Sequence, residues 1–228
     1  MKTADMPGSP RWAELVAAGA AELGAPVTPS QIEALACHAA ELVRWNQKIN
    51  LTRISDPADM AIKHYVDSLA CIPYIPVGAD ILDIGTGGGF PGIPLAVVAQ
   101  PRSVLMIDSV GKKISFLQHA IRLMGLPNAQ ARHARAQELQ AQTTYREYYD
   151  RIVCRALADI AQIIELAFPL LKPGGMVVAL KGRTDRVAQE SRRLDSSGQK
   201  KQGPVNMQIA TYRLPVLNEE RNLILLTK

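Results

Sequence analysis

The feature that most constrains this chain is the run Ile81 to Gly92, I-L-D-I-G-T-G-G-G-F-P-G, in which an apolar strand carrying Asp83 passes directly into glycines at 85, 87, 88, 89 and 92. Glycine is needed where a backbone turns with φ > 0 or lets a ligand approach closer than a Cβ permits. A strand that ends this way predicts a charged, nucleotide-like ligand lying against the backbone. The chain around the loop has a matching rhythm. Short apolar strands are expected near 80–84, 103–108, 129–133, 150–155 and 175–181, with helices at Gly92–Ala99, Gly111–Met124 and Ala158–Leu170 between them. That alternation predicts right-handed βαβ units in a parallel sheet. Lys172, Pro173, Gly174 and Gly175 read as a turn. Two final strands, near 205–213 and 221–227, flank a polar loop at Asn218, Glu219 and Glu220 and are expected to form an antiparallel hairpin at the sheet edge.

Ahead of the sheet the pattern is helical. Trp12 to Leu23 forms one segment; a second opens at Thr28, where Thr28, Pro29 and Gln31 supply an N-cap, a first-turn proline and a capping-box partner. Asp56 and Pro57 start a third that runs through His64 and Asp67 toward Cys71. Pro73 and Pro76 mark the junction, giving an expected helical cap over residues 1–75 and a main domain over 76–228.

Two cofactor classes compete for the glycine loop. A dinucleotide fingerprint, G-x-G-x-x-G, fails when counted from Gly85, because Phe90 stands where the third glycine belongs, but fits at Gly87, Gly89 and Gly92. Asp108, at the end of the second strand, could bind the ribose of either cofactor. The D-x-G-x-G-x-G spacing of Asp83, Gly85, Gly87 and Gly89 resembles the first motif of the Rossmann-like S-adenosylmethionine methyltransferases, in which this loop wraps the amino-acid end of the cofactor. Pro91 and Pro94 restrict the loop where a dinucleotide motif runs directly into helix, and favour the methyltransferase.

Composition narrows the setting. At 228 residues and 47% hydrophobic content the chain can bury one sizeable core. Cys37, Cys71 and Cys154 are odd in number and lack C-x-x-C spacing, which argues against a disulfide framework or zinc site and for buried thiols in a reducing cytoplasm. Residues 1–11 lack the apolar core of a signal peptide, and no apolar run approaches bilayer length. A net charge of +5 favours an anionic partner. The charge concentrates between Lys181 and Lys201, where seven basic residues, including Lys181, Arg183 and Arg186, face three acids.

Beyond the loop, a set of segments resembles the bacterial small-subunit ribosomal RNA guanine-N7 methyltransferase family, once named glucose-inhibited division protein B. They are Asn50-Leu51-Thr52, His64-Tyr65-Val66-Asp67-Ser68-Leu69, the Phe90-Pro91-Gly92-Ile93-Pro94 extension, Asp108-Ser109 with Gly111-Lys112-Lys113, Arg135 to Leu139, Cys154-Arg155-Ala156, Ala179 to Gly182 and Arg221-Asn222-Leu223. The resemblance covers nearly the whole chain. It implies a Rossmann-like S-adenosylmethionine methyltransferase fold: a seven-stranded, mostly parallel α/β sheet with a C-terminal antiparallel hairpin and an N-terminal helical cap. It implies S-adenosyl-L-methionine as cofactor, bound by Asp83, Gly85, Gly87 and Phe90 of the loop, by Asp108 at the ribose, by Ala136 and Gln137 beside the adenine, and by Arg155. Gln137 departs from the family glutamate, although Glu138 follows it. Lys181, Arg183 and Arg186 become candidate RNA contacts. The implied partner is 16S ribosomal RNA or the small ribosomal subunit, met by a monomer in the cytoplasm and not at a membrane.

The chemistry that this implies is undemanding in protons. Guanine N7 has a free lone pair, so attack on a sulfonium methyl needs orientation, not a general base. Arg155 is therefore assigned as the catalytic-site residue that contacts cofactor carboxylate, substrate phosphate or guanine O6. N7 and O6 face the narrow major groove of A-form RNA, so the target guanine is expected to be unpaired or extruded. His64 and Asp67, three residues apart on a helix, read as a structural pair, and His38, His119 and His133 show no ligand spacing. Lys112 and Lys113 oppose the helix dipole where they stand, which predicts an anion nearby. A small-molecule methyltransferase, an NAD-dependent dehydrogenase and a non-catalytic RNA-binding assembly factor remain alternatives to be separated by the cleft and by cofactor binding.

Overall fold

A computed structural model describes residues 6–156, 159–182 and 205–228. Seven strands form one sheet in the order β3-β2-β1-β4-β5-β7-β6. They are β1 (Asp80–Ile84), β2 (Ser103–Asp108), β3 (Ala129–His133), β4 (Tyr149–Arg155), β5 (Leu171–Lys181), β6 (Asn206–Leu214) and β7 (Glu219–Thr227). The first five pair parallel, and β7 runs antiparallel to both β5 and β6. This is the mostly parallel sheet with a C-terminal hairpin that the alternation predicts. Two boundaries differ. Glu219 and Glu220 lie inside β7, paired with Leu214 and Arg213, so the connecting turn is earlier than its polarity suggests. Lys172 to Gly175 is not a turn before β5 but an irregular stretch within it: Tyr149 pairs with Leu171, Arg151 with Met176, and Gly174 takes φ 75° in the excess.

The helices are α1 (Pro10–Glu22), α2 (Pro29–Asn46), α3 (Pro57–Met60), α4 (Asp67–Leu69), α5 (Gly92–Val98), α6 (Gly111–Met124), α7 (Ala136–Gln140) and α8 (Ile160–Ala167). Their starts follow local chemistry. Thr28 and Gln31 exchange the two hydrogen bonds of the expected capping box, and Asp56 and Asp159 accept from Asp59 N and Gln162 N. Between α3 and α4 the six residues Ala61–Val66 wind as a π-helix, a rare form that is frequent at functional sites. The short α7 was not expected; five residues carry too little periodicity to reveal a helix.

Strand side chains alternate between two cores. Ile81, Val104, Met106 and Val153 pack with Trp12, Val16, Leu35 and Tyr65 of the N-terminal helices and with α5 and α6. Leu82, Ile107, Ile152 and Val177 pack on the other face with α7 and α8. The N-terminal helices thus share one continuous core with the sheet. At the end away from the glycine loop, buried Asp80 binds Arg102 and accepts from Ser103 Oγ at 2.8 Å, with Lys172 Nζ 3.8 Å away. Those partners neutralise an otherwise costly buried carboxylate and leave the opposite rim free for a ligand. Among the described residues no helix is long and apolar enough to cross a membrane.

Candidate active site

Open α/β sheets bind ligands outside the carboxyl ends of their strands, and a cavity of about 350 Å³ lies there, spanning the ends of β1 to β4. Gly85 leads in from β1, Asp108 from β2, Ala136 and Gln137 follow β3, and Arg155 ends β4; Lys113 of α6 completes the polar lining with Arg135. Of the residues predicted for cofactor binding, Gly85, Asp108, Ala136, Gln137 and Arg155 are brought together on this wall. Asp83, Gly87 and Phe90 stand behind it.

Asp108 is the centre of the site's polar order. It is buried, and its Oδ2 accepts from Gly87 N at 3.0 Å while Oδ1 accepts from Val110 N at 2.9 Å. Lys113 Nζ lies 3.5 Å from Oδ2, the anion that explains a lysine in a helix first turn. Each carboxylate oxygen keeps a lone-pair direction for another donor. Gly87 therefore acts on the cleft through Asp108, by holding its carboxylate.

Asp83 has a different task. It is fully buried; Oδ2 accepts from Gly92 N at 2.9 Å, tying the start of α5 to β1, and Oδ1 has no hydrogen-bond partner among the described residues. Burial pushes its carboxyl up to about 7, with the nearby Thr86 hydroxyl, the Gly92 N–H and Arg155 acting in the opposite sense. Gly85 N and Thr86 N both donate to Ile107 O, so the loop is also fastened to β2.

Phe90 points into the cap. Its ring is stacked on His64 at 4.5 Å between centroids, meets Tyr65 and His38 edge-on, and lies beneath the Arg155 guanidinium at 5.2 Å. His38 is fully buried, its Nδ1 2.7 Å from Tyr65 Oη, and burial drops its imidazole to about 3. His64 and Asp67 do not bind one another: His64 contacts Arg155 and Thr52, and Asp67 accepts from Tyr212 Oη at 2.7 Å with Arg155 and Arg221 3.7 and 3.8 Å away. Both belong to a network centred on Arg155, which sequence spacing within one helix could not reveal.

Several residues of the lining lie outside the predicted set, Arg135 and Ala156 among them. Arg135 is exposed at the rim, and Ala156 holds φ 51°, an uncommon backbone state for a residue with a Cβ. Nothing in composition signals either. Gln137 lines the cavity, whereas exposed Glu138 does not. Lys181 ends β5 opposite Asn222. Arg183 and Arg186, with most of the basic run, lie outside the described residues.

A cavity of this size is in the range of small-molecule sites. An acid with spare acceptor capacity at the second strand, bare backbone at Gly85 and a small buried residue at Ala136 fit a nucleoside cofactor. A S-adenosylmethionine-dependent methyltransferase of Aquifex aeolicus shares the architecture, with a TM-score of 0.56 over 78% of this chain and 97% of that one, at 14% identity. Fold and cleft thus define a Rossmann-like α/β domain with a ligand cleft at the carboxyl ends of its strands.

Sequence carries the assignment further. The family described as GidB, rRNA small subunit methyltransferase G, matches residues 31–224. A ribosomal RNA small subunit methyltransferase G of Geobacter metallireducens is 40% identical over 213 residues, covering 93% of this chain and 94% of the relative. One from Deinococcus deserti is 35% identical over 222 residues, covering 96% and 89%. The chain belongs to the rRNA small subunit methyltransferase G family.

Proposed function

We propose that this protein transfers the methyl group of S-adenosylmethionine to N7 of an unpaired guanine in 16S ribosomal RNA. The observation that carries the reading is the charge of the cleft. Its ionisable lining among the described residues is three cations, Lys113, Arg135 and Arg155, and one carboxylate, Asp108, already holding two backbone N–H groups. Such a site offers anion binding and orientation in place of a free base, which suits a nucleophile with its own lone pair. When bound, S-adenosylmethionine supplies an electrophilic methyl on a cationic sulfur. Asp108 would hold the ribose hydroxyls, Ala136 and Gln137 would flank the adenine, and Gly85 would leave room for the amino-acid end. Arg155 would orient cofactor carboxylate or guanine O6. Arg135, Lys181, Arg183 and Arg186 would meet RNA phosphate.

In this reading residues 1–75 serve the 76–228 domain as a cap that holds Arg155. The chain works as a monomer in the cytoplasm, where the reducing poise suits its free thiols, of which Cys71 and Cys154 are buried. The test is methyl transfer from isotope-labelled S-adenosylmethionine to ribosomal RNA lacking the modification, followed by nucleoside mass spectrometry. Label in 7-methylguanosine is expected; label in another nucleoside overturns the N7 assignment, and cofactor binding without RNA label overturns the substrate. RNA affinity should also fall steeply with salt, by about 10-fold or more between roughly 50 and 200 mM, because phosphate contacts release counterions.

A further inference from the structure

The geometry points to His64 as the residue that positions Arg155 for methyl transfer, acting as a hydrogen-bond acceptor through Nδ1. The inference rests on the place given to Arg155 above.

Arg155 lines the cleft from the end of β4, yet its guanidinium is fastened on the cap side. Nη1 donates to Lys63 O at 2.9 Å, Nη2 lies 2.7 Å from His64 Nδ1, and the plane rests over Phe90. A guanidinium has donors only. His64 Nδ1 must therefore present its lone pair, which puts the ring proton on Nε2. That nitrogen is 2.7 Å from Thr52 Oγ1, an acceptor in reach. Thr52 is itself immobilised: Asn46 Oδ1 accepts from Leu51 N and Thr52 N at 2.8 and 3.0 Å, and Asn46 Nδ2 donates to Thr52 O at 3.0 Å. The imidazole lies nearly parallel to Phe90, 19° between planes. Both ring nitrogens and one ring face are thereby committed, and the tautomer is dictated by the partners.

Burial and the neighbouring cation keep it neutral. Burial, and next the Arg155 cation, pull the imidazole down to about 3. Facing this cluster are Arg155 from β4, Phe90 from the glycine loop, Thr52 ahead of α3, His38 from α2 and Asp67 from α4; the neutral His38 adds no charge at working pH. A protonated His64 would lose its acceptor and repel the guanidinium. With two donors fixed, Arg155 Nε makes no hydrogen bond among the described residues, leaving the guanidinium with donor capacity beside the cleft. The π-helical winding of Ala61–Val66 contributes directly, since it supplies Lys63 O and His64 Nδ1 together to one guanidinium.

The test uses the full chain with His64→Phe and His64→Asn. Phenylalanine keeps the stack on Phe90 and removes the acceptor; asparagine restores an acceptor near Nδ1. His64→Phe should lower kcat on the order of 10- to 100-fold, the usual cost of a misplaced orienting group, with KM for RNA and the shape of the pH profile unchanged. His64→Asn should recover a large part of that loss. Parental kcat in His64→Phe, or no rescue by asparagine, overturns the positioning role, and loss of an acidic limb in the pH profile would assign a general base instead. Nitrogen NMR of His64 in the parent protein is independent of turnover and of variant folding. It should show the Nε2–H tautomer without titration across the neutral range; a titrating ring or the opposite tautomer overturns the inference. A parent that binds S-adenosylmethionine but never methylates RNA sinks the functional reading alone, because the tautomer measurement still stands.

Discussion

The two halves of the glycine loop use the same residue for unrelated reasons. Gly85 and Gly87 take φ 73° and 60°, and a Cβ at Gly87 would meet nothing closer than Gly85 O at 4.0 Å. Their requirement is conformational: the backbone must turn left-handed to send Gly87 N–H to Asp108. At Gly92 the requirement is space, for a Cβ there would lie 2.6 Å from Met106 Cγ and 2.7 Å from Asp83 Oδ2. Gly89 combines both demands, with φ 95° and a Cβ 2.7 Å from Ile93 Cγ1. The first half shapes the edge of the cleft, and the second lets α5 start hard against β1 and β2. A motif read as one cofactor signature is therefore a turn fused to a packing joint, as is the third glycine of dinucleotide loops.

That division can be broken by substitution. Gly92→Ala should have the largest effect, a loss of about 3 kcal/mol or more from overpacking against a held carboxylate, read from the denaturant midpoint; a change below about 1 kcal/mol would erase the distinction. Gly89→Ala should cost about 2–3 kcal/mol by the same measurement, adding left-handed strain to a clash that Ile93 and Leu117 can partly relieve.

Asp83→Asn sharpens the comparison through pH. The folded Asp83 carboxyl, raised to about 7, binds protons more tightly than in the unfolded chain. Its contribution is therefore fully present below about pH 4 and lost as pH rises through about 7. Relative to the parent, Asp83→Asn should gain about 3–4 kcal/mol between those limits, measured by urea unfolding at both ends. His38 acts in the opposite sense: depressed to about 3, it stabilises above the unfolded imidazole range and is lost on acidification. A difference curve that is flat with pH would show Asp83 ionised throughout. In the first half of the loop, Gly85→Ala should cost only about 1–2 kcal/mol of stability, from its positive φ, while lowering S-adenosylmethionine affinity measured by calorimetry. Gly87→Ala should be the mildest, at about 1 kcal/mol.

Much of this was legible beforehand. The strands, the capping box at Thr28 and the acid at the end of β2 are local patterns, and local patterns survive folding. Asp108 could be placed because an acid at a strand end in an α/β unit has few other uses. Phe90 and Asp83 could be tied to the loop but not to a side of it, because which face a loop residue takes depends on what packs there, and the N-terminal helices supply that packing. The π-helix escaped for a related reason. Within it His64 contacts Thr52 and Arg155, both outside the helix, whereas periodicity reports only the nearest turns. Glu219 and Glu220 misled because they are exposed and pair only with β6, beyond the last described β5–β7 pair at Asn222, where the hairpin end tolerates polar residues that elsewhere signal a loop.

The order of the strands has a dynamic consequence. Of the strands that meet at the cleft, β1 is buried along its whole length inside the sheet, whereas β3 is an edge strand with most of its residues at least partly exposed. Amides of β1 should exchange with solvent only when the whole domain opens, while those of β3 and α7 exchange through local fraying. One wall of the site is thus as permanent as the fold, and the wall proposed for the adenine is as permanent as its weakest strand. Ligand binding should therefore register in hydrogen exchange chiefly as slowed exchange at β3 and α7, the part of the site that occupancy has most to quiet.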